Sequence, residues 1–194
     1  MDIILASASP RRAQLLTQLG LTFTVRAAEI NEDAVTAETP AALVETLARQ
    51  KGEAVLAAAP QGSLVIAADT VVVLDGEILG KPRDEQEAVA MLTRLSGRLH
   101  TVYTGLAVLV SGDAARCAVT HEAAAVRFRA LTEREILRYV QTGEPLDKAG
   151  AYGIQEYGAT LVERVEGDYF AVVGLPLCRL TVVLSELGYD NLIL

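Results

Sequence analysis

Hydrophobic positions along this chain change period repeatedly, from uninterrupted apolar runs to faces spaced three and four residues apart. Ile3-Ile4-Leu5-Ala6 reads as a short strand, followed by the turn Ser7-Ala8-Ser9 and a helical pattern over residues 13–19. Ser9 stands at an N-cap position and Pro10 at the first helical one. A second strand is expected over 22–25. Thr39-Pro40 repeats the cap-then-proline signal before a helix over about 41–58, with Leu43, Leu47 and Val55 on one side. Leu64-Val65-Ile66-Ala67-Ala68 predicts a fully apolar strand ending in Asp69-Thr70, and residues 71–74, Asp75-Gly76 and 77–79 predict a hairpin. Asp84-x-x-Glu87 opens a helix to about Leu95, closed near Gly97. Strand patterns over 101–110 and 118–128 follow, and Thr132-x-x-Glu135 opens a helix that stops at Gly143. Residues 143–158 read as a Gly-rich polar loop, and 160–165 with 169–173 as a second hairpin turning at Glu166-Gly167. Pro176 starts a last helix ending near Gly188. Alternating β and α elements, without repeat or linker, predict one α/β domain over 1–194 with a cleft.

Composition narrows the classes. Hydrophobic residues are 51% of 194, enough for a sizeable core and against widespread disorder. No apolar stretch approaches the ~20 residues that span a bilayer, and Met1-Asp2-Ile3 lacks the basic region of a signal peptide. Neither a membrane nor a secretory route is expected. Cys117 and Cys178 are too few and too far apart for a disulfide framework or a Cys-x-x-Cys metal site, so both read as reduced core residues of a cytoplasmic protein. A net charge of −8 with no basic run disfavours nucleic acid as a partner. An acidic chain that handles polyphosphate must place its few cations with care or recruit a metal.

Arg11 and Arg12 carry the wrong sign for a helix N-terminus, costing about 0.3–1 kcal/mol each unless an anion faces them. Backbone N–H groups, a positive dipole end and two guanidinium forks describe a phosphate site; two solvated arginines are the plainer alternative. Asp69 follows five apolar residues at the carboxyl end of an expected central strand, where α/β sheets hold ligands. There it binds a metal, a proton or a hydrogen-bond donor, or caps a local turn with Thr70. Gly80-Lys81-Pro82 is no P-loop, since that motif needs different glycine spacing and Ser or Thr after the lysine. Lys81 remains a point charge for phosphate, brought beside Asp69 by the hairpin, or a solvated turn residue. Lys51 late in a helix has an ordinary dipole explanation. Glu29, Asn31, Glu32 and Asp33 offer oxygen ligands to a hard cation, or form a solvated loop. In Asp147-Lys148-Ala149-Gly150-Ala151-Tyr152-Gly153-Ile154-Gln155 glycines admit a ligand to the backbone, and Gln155 offers an amide donor and acceptor suited to a base edge. His100 and His121 lie inside strand patterns and read as structural.

Taken together and in order, these pieces resemble one family: Ser7-x-Ser9-Pro10-Arg11-Arg12, Ala48-x-x-Lys51, Ala68-Asp69-Thr70-Val71-Val72, Leu79-Gly80-Lys81-Pro82, Leu95-Ser96-Gly97, the Lys148–Gln155 loop and Gly167-Asp168-Tyr169-Phe170-Ala171-Val172-Val173-Gly174-Leu175-Pro176-Leu177. The chain resembles the Maf family of nucleoside triphosphate pyrophosphatases from end to end. The resemblance implies an ITPase-like α/β fold, a curved mixed sheet flanked by helices with an active-site cleft. It implies hydrolysis of a nucleoside triphosphate to monophosphate and pyrophosphate with a divalent cation, Mg²⁺ or Mn²⁺. Asp69 would be the proton acceptor or a metal ligand. Ser7, Arg12, Lys51 and Lys81 would hold phosphates, and Glu32 would help place the metal. A homodimer is compatible with the resemblance.

Arg11, Thr70 and Gln155 resemble the branch acting on dTTP and UTP, where the 7-methyl-GTP branch has an aromatic, Gln and Glu. Other readings are cleanup of modified nucleotides such as 5-methyl-UTP, pseudo-UTP or 7-methyl-GTP, or a nucleotide-sensing regulator of cell division and septum formation. The chain departs from the family pattern at Asn31, where an acid is common, at Gly52 for Ala, and at Glu156-Tyr157-Gly158 for Gly-x-Gly.

Overall fold

The apolar run at the start of the chain forms β1 (Ile3–Leu5), every residue of it buried. It pairs in parallel with β2 (Thr24–Val25) on one side and β3 (Leu64–Leu74) on the other. A strand that is apolar on both faces is stable in such surroundings. The computed structural model describes residues 1–113 and 116–193. Among these, β4 (Glu77–Leu79), β5 (Leu99–Val110), β6 (Cys117–Phe128) and β7 (Val162–Glu166) complete a mixed seven-stranded sheet in the order β2-β1-β3-β5-β6-β7, with β4 antiparallel to β3. The helices are α1 (Pro10–Gln18), α2 (Pro40–Leu56), α3 (Glu85–Leu95), α4 (Glu133–Val140), α5 (Tyr169–Val173) and α6 (Leu177–Glu186). No helix among the described residues is long and apolar enough to cross a membrane.

The chain groups into two compact units, each assembled from separate segments. The first holds Met1–Asp69, Thr104–Glu122 and Gly174–Leu194; the second holds Thr70–Tyr103 and Ala123–Val173. The long strands β3, β5 and β6 each contribute residues to both, so no linker composition marks a boundary.

In the first unit, α2 starts where the sequence places it. Thr39 Oγ1 accepts from the Ala42 N–H at 3.1 Å and Pro40 fills the first turn. The helix lies very close to the strands. A Cβ at Gly105 of β5 would fall 2.1 Å from the Val44 carbonyl oxygen, and one at Gly52 of α2 would fall 2.7 Å from Leu109 Cδ1. Gly52 therefore replaces the alanine of the family pattern where Leu109 fills the space. Ala48 packs here with Val65, Ala67, Ala107 and Leu109 in one buried cluster.

The second unit has its own core, in which Leu92 and Leu95 of α3, Val126 and Phe128 of β6, and Ile136 and Tyr139 of α4 pack together. Asp84 Oδ1 caps α3 through the Glu87 N–H at 2.8 Å, whereas Glu87 Oε2 accepts from Arg83 N–H rather than completing a box with Asp84. Thr132 and Glu135 do complete a capping box on α4. The turn after β3 is left-handed at both central residues, Asp75 at φ 53° and Gly76 at φ 81°, the geometry expected of a two-residue hairpin.

Three expectations change. β3 does not end at Asp69: it runs unbroken from Leu64 to Leu74, with Asp69 buried inside it. Its parallel partner β1 ends nearby, pairing no further than Leu5 with Ile66. The 160–165 and 169–173 segments are not a hairpin, because β7 pairs with β6 and Tyr-Phe-Ala-Val-Val is helical. Periodicity does not separate helix from strand in so short an apolar run, and Asp168 Oδ1 decides it by accepting from the Phe170 N–H at 2.8 Å. Cys117 and Cys178 are free, as expected of reduced cysteines, but both are exposed rather than in the core.

His100 is 3% exposed in the second unit, edge-on to Phe128 and Tyr152 and with Nε2 2.8 Å from the Tyr152 hydroxyl. Burial pushes its pKa down to about 4, opposed only in part by a backbone group of Arg98. Between about pH 6.5 and 4 the unfolded chain therefore binds a proton that the folded one refuses, and stability is lost as pH falls through that window. The expected loss is on the order of 2–3 kcal/mol, read from urea unfolding at successive pH values. His100→Gln should remove that part of the slope; an unchanged slope in this variant contradicts the account.

Candidate functional site

The turn between β1 and α1 is organised by a hydroxyl. Ser7, 7% exposed, accepts from the Ser9 N–H at 3.2 Å and from Arg12 Nη1 at 3.1 Å, leaving its own O–H to donate. Ser9 holds the N-cap position of α1 as expected, but its side chain makes no capping bond, and no acidic residue lies in the first turn. Arg12 Nε donates to the Gly174 carbonyl at 2.8 Å, which ties the start of the chain to the segment before α6. Burial lowers the Arg12 pKa from its ordinary value, and Arg11 adds to that; the Asp69 and Glu32 carboxylates oppose it. The guanidinium is thus fixed by a hydroxyl and a carbonyl and lies in the field of two carboxylates.

Beside it stands a three-member ionic chain. Lys51, delivered by α2 just before Gly52, places Nζ 2.5 Å from Asp69 Oδ1 and 2.8 Å from Glu32 Oε1. The Lys51 and Asp69 side chains are 11% and 9% exposed, Glu32 49%. Asp69 is inside a strand, so it caps no local turn with Thr70. Glu32 opens a 3-10 turn, Glu32–Ala34, that carries the acidic loop toward the lysine. A carboxylate as buried as Asp69 needs this counter-charge.

Ser7, Arg12, Glu32, Lys51 and Asp69 are thus brought together within the first unit. Arg11 is half-buried in the same helix turn, and Thr70 is half-buried next to Asp69 in β3. Lys81 and Gln155 belong to the second unit and are both exposed. There the Gly80-Lys81 turn is tied to the loop carrying Gln155, since the Gly150 N–H donates to the Gly80 carbonyl at 3.0 Å. Gly150 has φ 68°, and a Cβ on it would fall 2.9 Å from Val72 Cγ2, so glycine is required. Glu29, Asn31 and Asp33 are all exposed, Asp33 within the 3-10 turn. His121 Nδ1 lies 2.7 Å from Glu45 Oε1, and His100 lies in the aromatic core. The Gly174 carbonyl was missed; its glycine stands in the late motif, but nothing local links it to Arg12, 162 residues earlier.

Among the described residues no three His, Cys, Asp or Glu side chains cluster to hold a metal. Two carboxylates nevertheless converge on one cation, the Lys51 ammonium. A hard divalent ion held by one or two carboxylates and completed by substrate phosphates fits that donor set, whereas an all-protein cage does not.

A family model described as Maf-like protein matches residues 2–187. A protein of Symbiobacterium thermophilum called dTTP/UTP pyrophosphatase is 54% identical over 97% of this chain and 95% of its own length. Proteins of the same name from Pelotomaculum thermopropionicum and Moorella thermoacetica are 52% and 54% identical, over 98% and 97% of this chain and 99% and 96% of their own lengths. Among solved structures, the Staphylococcus aureus Ham1 protein aligns loosely, with 17% identity and a TM-score of 0.47 over 66% of this chain and 72% of that one.

The ionic chain makes a direct prediction. Lys51→Met leaves the Asp69 charge buried without its counter-ion and should cost about 3 kcal/mol in urea unfolding without substrate. Adding Asp69→Asn should recover a good part of that loss, with a coupling of roughly 1–3 kcal/mol between the two positions. Strictly additive costs contradict the pairing.

Proposed function

The chain belongs to the family of Maf-like proteins, and from that premise we propose that it hydrolyses nucleoside triphosphates, dTTP and UTP foremost, to the monophosphate and pyrophosphate. The observation that carries the reading is the Asp69–Lys51–Glu32 chain beside the anchored Arg12. It joins a buried carboxylate to cations in the way that attack on a polyphosphate requires. The relatives named above are called dTTP/UTP pyrophosphatases, and Arg11, Thr70 and Gln155 are the residues here that match that branch.

In this reading water attacks the α-phosphorus. The new bond is from water oxygen to phosphorus, and the bond that breaks joins phosphorus to the oxygen bridging to the β-phosphate. Pyrophosphate departs with that electron pair, and Asp69 takes the proton of the attacking water. Lys51 engages Oδ1, which leaves Oδ2 to receive it. Ser7, Arg12, Lys51 and Lys81 hold phosphate oxygens and offset the charge that accumulates on the leaving group. Lys51 would exchange part of its contact with Asp69 and Glu32 for the substrate. Those two carboxylates are the groups that would hold Mg²⁺ or Mn²⁺ with the phosphates. When bound, such an ion neutralises polyphosphate charge and lowers the pKa of a coordinated water. Gln155 would read the base, its amide matching the O4 and N3–H edge shared by thymine and uracil, with Arg11 and Thr70 shaping the same selection. The catalytic domain is read as the whole of residues 1–194.

Pyrophosphate release from purified protein should be measured for dTTP, UTP, CTP, GTP, 7-methyl-GTP, 5-methyl-UTP and pseudo-UTP. dTTP and UTP are expected to have the highest kcat/KM, and exhaustive chelation to abolish turnover. Asp69→Asn should lower the rate by roughly 10²–10⁴-fold while the protein remains folded. Near-normal turnover of that variant would remove Asp69 from its role. Gln155→Glu should impair dTTP and UTP most, since a carboxylate has no donor for O4. Preference of the wild type for 7-methyl-GTP, or an equal slowing of all substrates in Gln155→Glu, would reject the base-reading assignment.

A further inference from the structure

The loop that presents Gln155 is closed on itself. A Cβ at Gly158 would lie 2.0 Å from the Gly153 carbonyl oxygen and 2.7 Å from the Tyr139 hydroxyl oxygen, so the two ends of 153–158 press backbone to backbone. Ile154 is buried, while Gln155, Glu156 and Tyr157 are exposed. Both ends are held by one pair of side chains. Glu144 Oε1 accepts from the Tyr139 hydroxyl at 2.9 Å and from the Gly158 N–H at 3.2 Å, and Oε2 accepts from the Tyr157 N–H at 2.9 Å. The Tyr139 oxygen in turn accepts from the Gly153 N–H at 3.0 Å. Lys148 closes the far side, donating to the Glu144 carbonyl at 2.7 Å with its stem against Gly153.

Tyr139 and Glu144 are 5% and 8% exposed. Burial raises the Tyr139 pKa well above that of a free phenol, so its O–H remains a donor to Glu144. Burying a carboxyl group is costly unless its lone pairs are matched, and here three donors match them. Two other exposed turns among the described residues are closed by backbone pairing. Asp75-Gly76 is held by strand pairing from Leu74 to Glu77, and 111–113 by backbone bonds such as the Asp113 N–H to the Val110 carbonyl. A buried Tyr–Glu pair that fixes the backbone on each side of one exposed amide does more than close a loop.

We propose that Tyr139 and Glu144 are positioning residues for base selection: they clamp the backbone at Gly153 and at Tyr157–Gly158 so that the Gln155 amide is presented in one orientation. This rests on the base-reading role proposed for Gln155. The pair acts through Gln155 and meets neither the phosphates nor the attacking water. Fixing the amide before substrate arrives reduces the ordering that binding must otherwise supply, so its loss is felt as discrimination between bases.

The test compares kcat/KM for dTTP and CTP in wild type, Gln155→Ala, Tyr139→Phe and the double variant, with thermal unfolding of each. Tyr139→Phe removes the acceptor of the Gly153 N–H and the donor to Glu144, and should lower the dTTP-to-CTP ratio about tenfold, the loss carried by KM. In the Gln155→Ala background Tyr139→Phe should change the ratio less than twofold. Where Tyr139→Phe does not fold, Glu144→Gln is read in the same way, since its amide turns a donor toward one of the loop N–H groups. A Gln155→Ala ratio equal to wild type removes the base-reading role and this inference with it. A lowered ratio in Gln155→Ala with a wild-type ratio in folded Tyr139→Phe or Glu144→Gln overturns the positioning role alone. An equal fall in the ratio with and without Gln155 also overturns it.

Discussion

The approach of α2 to the strands of the first unit is closer than side chains permit, and the ionic site depends on it. Gly105 leaves room for the Val44 carbonyl, and Gly52 leaves room for Leu109. Small residues at such a contact let a helix lie against a sheet at backbone distance, and interiors packed to crystal-like density give little freedom to shift it afterwards. Lys51, the neighbour of Gly52, is thereby fixed at hydrogen-bond distance from a carboxylate in the middle of β3. A larger residue at Gly105 would meet the backbone of α2 and lift the helix, and with it the ammonium, whereas one at Gly52 would meet only the end of the Leu109 side chain.

That geometry sets the electrostatics. A buried ion pair contributes little net stability once desolvation is counted, so the Lys51–Asp69 contact is better understood as poise than as reinforcement. One cation shared by two carboxylates gives the nearly buried Asp69 a counter-charge, and under the proposed function that shared arrangement is what a polyphosphate would re-divide. Arg12 is the complement, pinned by Ser7 and the Gly174 carbonyl, so that its fork is already oriented. Under the proposed function, much of the ordering that catalysis needs is already present in these contacts.

In the second unit the hydrogen-bonding logic is different. Its aromatic core of His100, Phe128 and Tyr152 packs edge to face, and burial keeps the imidazole neutral at ordinary pH. The loop carrying Gln155 is held by a carboxyl group whose lone pairs are used by a phenol and two backbone N–H groups. Glu156-Tyr157-Gly158, the departure from the family pattern, contributes two of those N–H groups, and Gly158 is the residue whose missing Cβ lets the loop close.

Local physics was legible in the sequence. Thr39-Pro40, Asp84 and Thr132 with Glu135 declared helix starts because capping is satisfied within a turn of chain, and Asp75-Gly76 declared its hairpin because left-handed backbone is tolerated by few residues. The candidate residues, too, were visible as types at family spacings. What the sequence misjudged has a physical cause in each case. A five-residue apolar run fits strand and helix equally until Asp168 caps it. The polar Asp69 looked like a strand end because a charge in mid-strand needs a counter-ion, and that counter-ion comes from another element. Cys117 and Cys178 lie on elements whose exposed faces only the packing chooses. The two units are interleaved along the chain, so no composition shift announces them. Tertiary structure alone joined Arg12 to Gly174 and Lys51 to both Glu32 and Asp69. Those contacts close over long sequence separations, and they are fixed by how closely a helix can approach a sheet, which no local pattern records.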